Sequence, residues 1–298
     1  PIREMLRLTK SPNIISFAGG MPAPEVFPVT CFREACQRVL DSHAPEALQY
    51  GPTEGYLPLK YSLIELMSGH GLAIKPESIL PTSGSQQALD LIGRAVIDEG
   101  NTVITSRPTY LGAIQAWDAY GTKYVTVPLD DDGMCIDALE HQLEINPGAK
   151  LIYVLPNFHN PAGTTLPMER RHRLVELATA HRVLIVEDDP YGQLRYEGED
   201  MPPLLALGAD NTVYTSTFSK TLAPGVRLGW IVAPERVMTK IVQLKQGADL
   251  HTSSFIQLVV HDICERGLLT EHIAAIRGVY EERRDAMIKS MERHFRSE

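Results

Sequence analysis

Short apolar runs alternate with longer stretches of helical period along most of the chain. The runs at 78–81, 102–106, 123–127, 150–155, 183–187, 212–217 and 228–233 read as strands, and several are almost wholly apolar, as strands covered on both faces are. Between them, 85–97 carries Ala88, Leu89, Leu91, Ile92, Ala95 and Val96 at helical spacing, and 167–181 carries Leu174, Val175, Leu177 and Ala178 along one face. Gly100 and Gly121 stand where helices would end. This alternation predicts an α/β fold, a mostly parallel sheet flanked by helices.

Both ends of the chain depart from that pattern. The stretch 16–28, SFAGGMPAPEVFP, is rich in Gly and Pro and reads as an irregular arm. The stretch 273–295 has a charged amphipathic period and stops without a cap, which predicts a further domain after it. The expected division is therefore 1–45, an N-terminal arm and part of a small domain; 46–268, a large domain; and 269–298, a helix leading to the rest of the small domain.

Composition narrows the function. The 298 residues are 44% hydrophobic and 22% charged, an ordinary globular balance, and the formal net charge of −9 argues against a nucleic-acid partner. The tightest basic cluster, Glu169-Arg170-Arg171-His172-Arg173, reads as a solvated helix face. No apolar run approaches membrane-spanning length. Cys31, Cys36, Cys135 and Cys264 have no CxxC spacing and read as reduced, mostly buried thiols of a cytoplasmic protein. There is no HExxH and no Walker A loop, and Asp130-Asp131-Asp132-Gly133 lacks the spacing of a calcium loop, so it reads as a turn; no metal site is expected.

The chemistry is concentrated after the strands, where open α/β sheets bind ligands. Thr82-Ser83-Gly84-Ser85-Gln86 opens a helix, and glycine with free helix amides makes a phosphate seat, although Ser85 also suits an ordinary N-cap. Asn160 precedes a proline, as in many turns. Glu187-Asp188-Asp189 ends a buried strand, where acids are costly without a cationic partner, and Tyr191 follows across a proline. Ser219-Lys220 follows 212–217, with Arg227 seven residues on. Lysine suits Schiff-base chemistry, and arginine offers a planar fork to phosphate. A protonated ring nitrogen, a ring oxygen, an aldehyde and a phosphate would satisfy all of these groups, and pyridoxal phosphate carries the four.

The stretches ISFAGGMPAPEVFP, LQYGPTEGYLPLK, TSGSQQALDLIG, RPTYLGAIQAW, NFHNPAGTT, VEDDPYGQLRYEG, TFSKTLAPGVRLGW and KQGADLHT run in order from Ile14 to Thr252. As a set they resemble the fold-type I pyridoxal-phosphate aminotransferases, in the group that holds 2-aminoadipate and kynurenine aminotransferases and the C-terminal domains of MocR-type regulators. The resemblance implies that Lys220 bonds the cofactor and that Asp188 keeps its ring nitrogen protonated. It implies that Asn160 and Tyr191 bind the ring 3′-oxygen and that Tyr110 stacks on the ring. Ser85, Gln86, Ser219, Arg227 and Thr217 are expected at the phosphate, with Tyr50 reaching the phosphate of a second subunit in a homodimer with shared sites. Gly19 or Gly20 is expected to line the substrate pocket, with Arg3 at a distal carboxylate. Amino acids and 2-oxo acids are the expected substrates, in a ping-pong exchange.

His159 and His251 are read as structural, because the freed lysine is the better-placed base, and Trp117 as core. The arginine that clamps the α-carboxylate in this family has no counterpart in the sequence and is expected beyond residue 298, so weak cofactor binding and poor turnover are expected of these 298 residues alone. Two alternatives stay open: another pyridoxal-phosphate reaction such as elimination or decarboxylation, and the ligand-sensing domain of a MocR-type regulator. The opening PIREMLRLTKSPNIISFAGG reads more as the start of an enzyme than as a linker.

Overall fold

The computed structural model describes residues 20–295. Two helices come first, α1 (Val29–Leu48) and α2 (Leu57–Met67). Next come β1 (Ile79–Thr82), α3 (Ser85–Val96), β2 (Thr102–Arg107), α4 (Leu111–Trp117), β3 (Lys123–Asp130) and β4 (Gly133–Met134). The middle of the chain forms α5 (Ile136–Ile145), β5 (Ala149–Val154), α6 (Met168–His181), β6 (Leu184–Asp188) and α7 (Leu204–Leu207). It ends with β7 (Thr212–Thr217), β8 (Gly229–Val232), α8 (Glu235–Asp249), α9 (Ser254–Glu265) and α10 (Leu268–His294).

One sheet takes the strands in the order β1-β8-β7-β6-β5-β2-β3-β4. The pairs β7–β6, β6–β5, β5–β2 and β2–β3 are parallel, and β1–β8, β8–β7 and β3–β4 are antiparallel. Six strands therefore point one way, and only β8 and β4 oppose them. The sheet is mixed but mostly parallel, as the alternation of strand and helix predicts. Asp131 and Asp132 turn β3 into β4, with the Asp132 amide donating to Asp130 Oδ1 at 2.9 Å, so the acidic run is a hairpin turn.

The direction of β8 decides what stands at the ligand edge. Its first residue, Gly229, lies opposite both Thr82 and Thr217, the last residues of β1 and β7. Arg227 thus arrives at the same edge as the carboxyl ends of the parallel strands. A Cβ at Gly229 would lie 2.9 Å from the Ser85 nitrogen and 2.8 Å from the Ser216 carbonyl, so only glycine lets the strand come so close.

Helices cover both faces. Leu89, Ile92 and Trp117 from α3 and α4 pack on Leu151, Tyr153 and Val186, and Leu139, Leu143 and Leu174 from α5 and α6 pack on Ile104 and Ile152. Trp117 is core as expected, its Nε1 donating to the Leu89 carbonyl at 2.8 Å. Ala35 and Val39 of α1 join Leu59, Phe218, Trp230 and Val259 in a third cluster. The helix α1 is hard to see in the sequence because its buried residues are few and small, and Pro45 and a non-helical His43 interrupt it.

Two readings need correction. The basic cluster is not a solvated face throughout. Arg171 is fully buried, and its guanidinium donates to the carbonyls of Leu166 (2.8 Å), Pro202 (2.9 Å) and Pro156 (3.0 Å) and to Asn157 Oδ1 (2.7 Å). It ties the loops after β5 and β6 to α6, a role that helical periodicity cannot reveal. The four cysteines are free, as expected, but they are partly exposed rather than buried. The last helix spans Leu268–His294, after Gly267 in the left-handed region at φ +73°.

Replacing Arg171 with Met keeps most of the volume but orphans those buried acceptors. We expect Arg171→Met to lose about 3 kcal/mol or more in urea unfolding, whereas Arg173→Met leaves the midpoint in place. Equal midpoints for the two variants would contradict the tie.

Candidate active site

Three acids close β6, and each meets a different partner. Alternation along the strand sends Asp188 to the face opposite Glu187 and Asp189. Glu187 accepts the amides of Leu204 at 2.9 Å and Leu205 at 3.0 Å, the first turn of α7. Asp189 accepts from Asn157 Nδ2 at 3.1 Å and from the Gly192 amide at 2.9 Å. Asp188 accepts the Tyr153 hydroxyl at 2.7 Å on Oδ2, while its buried Oδ1 has no partner among the described residues. Burial pushes the Asp188 carboxyl up to about 7, and the Tyr153 bond opposes that rise. Burial likewise raises Glu187 to about 7.

The other strand ends surround Asp188. Asn160 Nδ2 donates to the Tyr191 hydroxyl at 3.3 Å, leaving the hydroxyl proton free to donate in turn. Burial raises the Tyr191 hydroxyl above its ordinary value, so it stays protonated at neutral pH. Tyr110 stands at the start of α4, and burial, followed by the charges of Asp188 and Tyr191, pushes its hydroxyl up to about 12. A Cβ on Gly112 would strike the Tyr110 ring at 2.4 Å, so that glycine sets where the ring lies. Lys220 Nζ donates to the Gly20 carbonyl at 3.1 Å and lies 5.9 Å from the centre of the Tyr191 ring. Burial lowers the Lys220 pKa, which favours the neutral amine that a nucleophile needs.

A cradle for an anion lies beside them. Gly84, at φ +86°, precedes α3, whose first amides have no side-chain cap. Ser85 is thus the first helical residue, not the cap. A Cβ on Gly84 would meet Arg227 Nη2 at 2.4 Å. Among the described residues Arg227 makes only long contacts, 3.3 Å to the Ser83 carbonyl and 3.4 Å to that of Pro224, which leaves donors to spare. Thr217 Oγ1 stands 2.9 Å from Ser219 Oγ and accepts the Ser219 amide at 3.1 Å. Gln86 is committed elsewhere through its side chain, which donates to the Gly112 carbonyl at 2.9 Å and leaves its backbone for an anion.

The structure gathers Ser85, Gln86, Tyr110, Asn160, Asp188, Tyr191, Thr217, Ser219, Lys220, Arg227 and Gly20 at one edge. Tyr50 makes no hydrogen bond to this group among the described residues; it is 81% exposed, with its ring edge-on to His251 at 5.9 Å. Gly19 and Arg3 lie outside the described residues. His159 bonds Ser106 Oγ at 2.9 Å and the Ala162 amide at 3.3 Å, and His251 bonds the Thr252 carbonyl and the Gly51 amide. Both imidazoles are held inside loops. Tyr153 is the residue that sequence reasoning missed. Its signal was one hydroxyl in the otherwise apolar run LIYVL, easily taken for core.

These groups fit pyridoxal phosphate. The unpaired Asp188 Oδ1 calls for a donor such as a protonated ring nitrogen, the glycine-walled cradle suits a phosphate, and the partly buried Lys220 amine suits an aldehyde.

Comparison with known proteins agrees. Residues 13–297 match the family described as aminotransferase class I and II. Aromatic-amino-acid aminotransferase 1 of Thermococcus litoralis is 46% identical, over 98% of this chain and 71% of its own length. The crystal structure of Pyrococcus horikoshii kynurenine aminotransferase in complex with PMP superposes with a TM-score of 0.94 at 42% identity, covering 100% of this chain and 74% of that one. LysN, the α-aminoadipate aminotransferase of Thermus thermophilus, complexed with N-(5′-phosphopyridoxyl)-L-leucine, gives 0.90 at 39%, covering 99% and 74%.

The raised carboxyls set a pH dependence. A carboxyl whose folded pKa lies above its unfolded value contributes stability that is full below the unfolded pKa and lost as pH rises through the folded one. In the cofactor-free protein, Asp188 and Glu187 therefore withdraw stability as pH rises through about 7. Thermal melting between about pH 5 and pH 8 should show a smaller decline for Asp188→Asn than for the wild type. Identical declines would place the titrating group elsewhere.

Proposed function

The chain belongs to the aminotransferase class I and II family, and from that premise we propose how its residues share the work of pyridoxal-phosphate-dependent transamination. The observation that carries this division is the buried Asp188, fixed by Tyr153 through one oxygen and unpaired at the other, on the same edge as an amine of lowered pKa. When bound, pyridoxal phosphate supplies an aldehyde to take the amino group and a ring that accepts electrons from the substrate's α-carbon.

Lys220 would hold the cofactor's aldehyde through Nζ. Once displaced by the substrate amine, the Lys220 amine would be the base for the α-proton, a task suited to a group that burial keeps neutral. Asp188 would hold a proton on the ring nitrogen through Oδ1, and Tyr153 keeps the carboxyl oriented. Asn160 and Tyr191 hydrogen-bond the ring 3′-oxygen, and Tyr110 covers one face of the ring. The Ser85 and Gln86 amides, with Ser219, Thr217 and Arg227, hold the phosphate. Gly20 lines the substrate pocket, as its carbonyl contact with Lys220 supports.

The amino donor is an aromatic, 2-aminoadipate-type or branched-chain amino acid, and the acceptor is a 2-oxo acid such as 2-oxoglutarate. The first two donor classes are those for which the relatives are named. The working unit is a cytoplasmic homodimer in which Tyr50, exposed on its own subunit, completes the partner's phosphate site. Among the described residues no helix is long and apolar enough to cross a membrane.

Borohydride reduction of the protein mixed with pyridoxal phosphate should add one cofactor mass to the wild-type chain and none to Lys220→Ala. The same mass on the variant would move the anchor to another lysine. Incubation with an amino donor and 2-oxoglutarate should form one glutamate for each 2-oxo acid released. Ammonia or carbon dioxide in that proportion would instead indicate elimination or decarboxylation.

A further inference from the structure

The end of α8 holds a charged pair at a position that local preference disfavours. Asp249 is the last residue of the helix, where the dipole is negative and a carboxylate is unwelcome. The chain leaves it through Leu250 at φ +63° and ψ −62°, a conformation rare for a residue with a side chain. Lys245, whose side chain is fully buried, donates to both Asp249 oxygens at 2.8 Å. Burial opposes the charge on Asp249, yet donations from Lys245, Gln87 and Ser83 hold its carboxyl below the ordinary value. Lys245 is fully buried while Asp249 keeps 26% of its side chain exposed, so the cost of the pair falls mainly on desolvating the lysine.

The pair meets the loop before α3. Asp249 Oδ2 accepts Ser83 Oγ at 3.2 Å and Gln87 Nε2 at 2.7 Å. Gln87 Oε1 accepts the Ser83 amide at 2.8 Å and Lys245 Nζ at 3.1 Å. Ser83 is thus held at its hydroxyl and at its amide, while its carbonyl receives Arg227 Nη2 at 3.3 Å. Ser83 directly precedes Gly84, whose left-handed turn aims the first amides of α3. The network therefore fixes the strand-to-helix turn from behind. Lys245 also cancels the charge of Asp249, so the cradle has a hydrogen-bond acceptor at its back without a bare anion.

We propose that Lys245 and Asp249 are positioning residues of the phosphate seat, holding Ser83 in place while presenting no net negative charge to the phosphate. This inference rests on the phosphate assignment made under Proposed function. It gives a role to the stretch KQGADLHT, which supplies none of the groups assigned there to the cofactor.

The test compares pyridoxal phosphate with pyridoxal, which lacks the phosphate, as ligands of the cofactor-free protein, by absorbance titration. Lys245→Met should weaken pyridoxal phosphate about tenfold or more and leave pyridoxal within about twofold, since an uncompensated charge nearby acts on the phosphate alone. Adding Asp249→Asn to that variant should recover most of the loss. Inorganic phosphate should compete less well against the single variant than against the wild type. Lys245→Gln, which keeps a donor but no charge, serves if Lys245→Met does not fold. Unchanged pyridoxal phosphate affinity, or equal weakening of both ligands, overturns the proposal while leaving the cofactor assignment standing. Failure of the wild type itself to bind pyridoxal phosphate more tightly than pyridoxal overturns both.

Discussion

A carboxylate sealed inside a protein is costly unless something positive meets it, and the site is organised around that constraint. Asp188 sits at the end of β6 with neighbours on both sides of the sheet. Tyr153, one strand over, takes one oxygen and fixes the plane of the carboxyl. The remaining oxygen has no partner among the described residues and demands a donor. A protonated ring nitrogen would answer that demand, and its proton would in turn let the ring accept electrons. The same contact would relieve the burial of Asp188 and prepare the cofactor for chemistry. Glu187 and Asp189 do not compete for it, because backbone amides and Asn157 already occupy them.

Strand direction does the rest. Parallel strands place Val154, Asp188 and Thr217 at one edge, and the reversed β8 brings Arg227 back to it. Glycines remove the side chains that would keep these pieces apart. Gly84 makes room for the Arg227 guanidinium, Gly229 lets β8 approach the start of α3, and Gly112 admits the Tyr110 ring. Behind this face, Lys245 and Asp249 hold Ser83, and Arg171 ties down the loops after β5 and β6. A site that must orient a ring, a phosphate and an amine together depends on backbone that cannot shift, and these buried polar ties supply it.

Most of the edge was legible in the sequence because its residues follow strands directly, where a Lys, Asp or Asn has few structural reasons to recur. The strands themselves were legible because burial on both faces makes them apolar. What stayed hidden lay in residues whose type suggests something ordinary. Tyr153 looks like core until its hydroxyl is seen on Asp188. Arg171 sits in a basic run that resembles any solvated helix face, and only the fold turns it inward. Lys245 and Asp249 are an i, i+4 pair like many on helix surfaces, and their burial against α3 depends on contacts more than 150 positions away in sequence. α1 escaped notice because small residues and Pro45 blur its period. Tyr50 is a different case, since its assigned role needs a second subunit.

Burial favours a protonated Asp188 in the cofactor-free protein, and a protonated ring nitrogen at Oδ1 would convert it to an anion. Isotope-edited infrared spectroscopy with labelled aspartate, read as the difference between wild type and Asp188→Asn near pH 6, reports that change directly. The expected result is a protonated carboxyl band in the cofactor-free protein that is replaced by a carboxylate band on adding pyridoxal phosphate. A carboxylate band in both states, or a protonated band that survives cofactor binding, would contradict it.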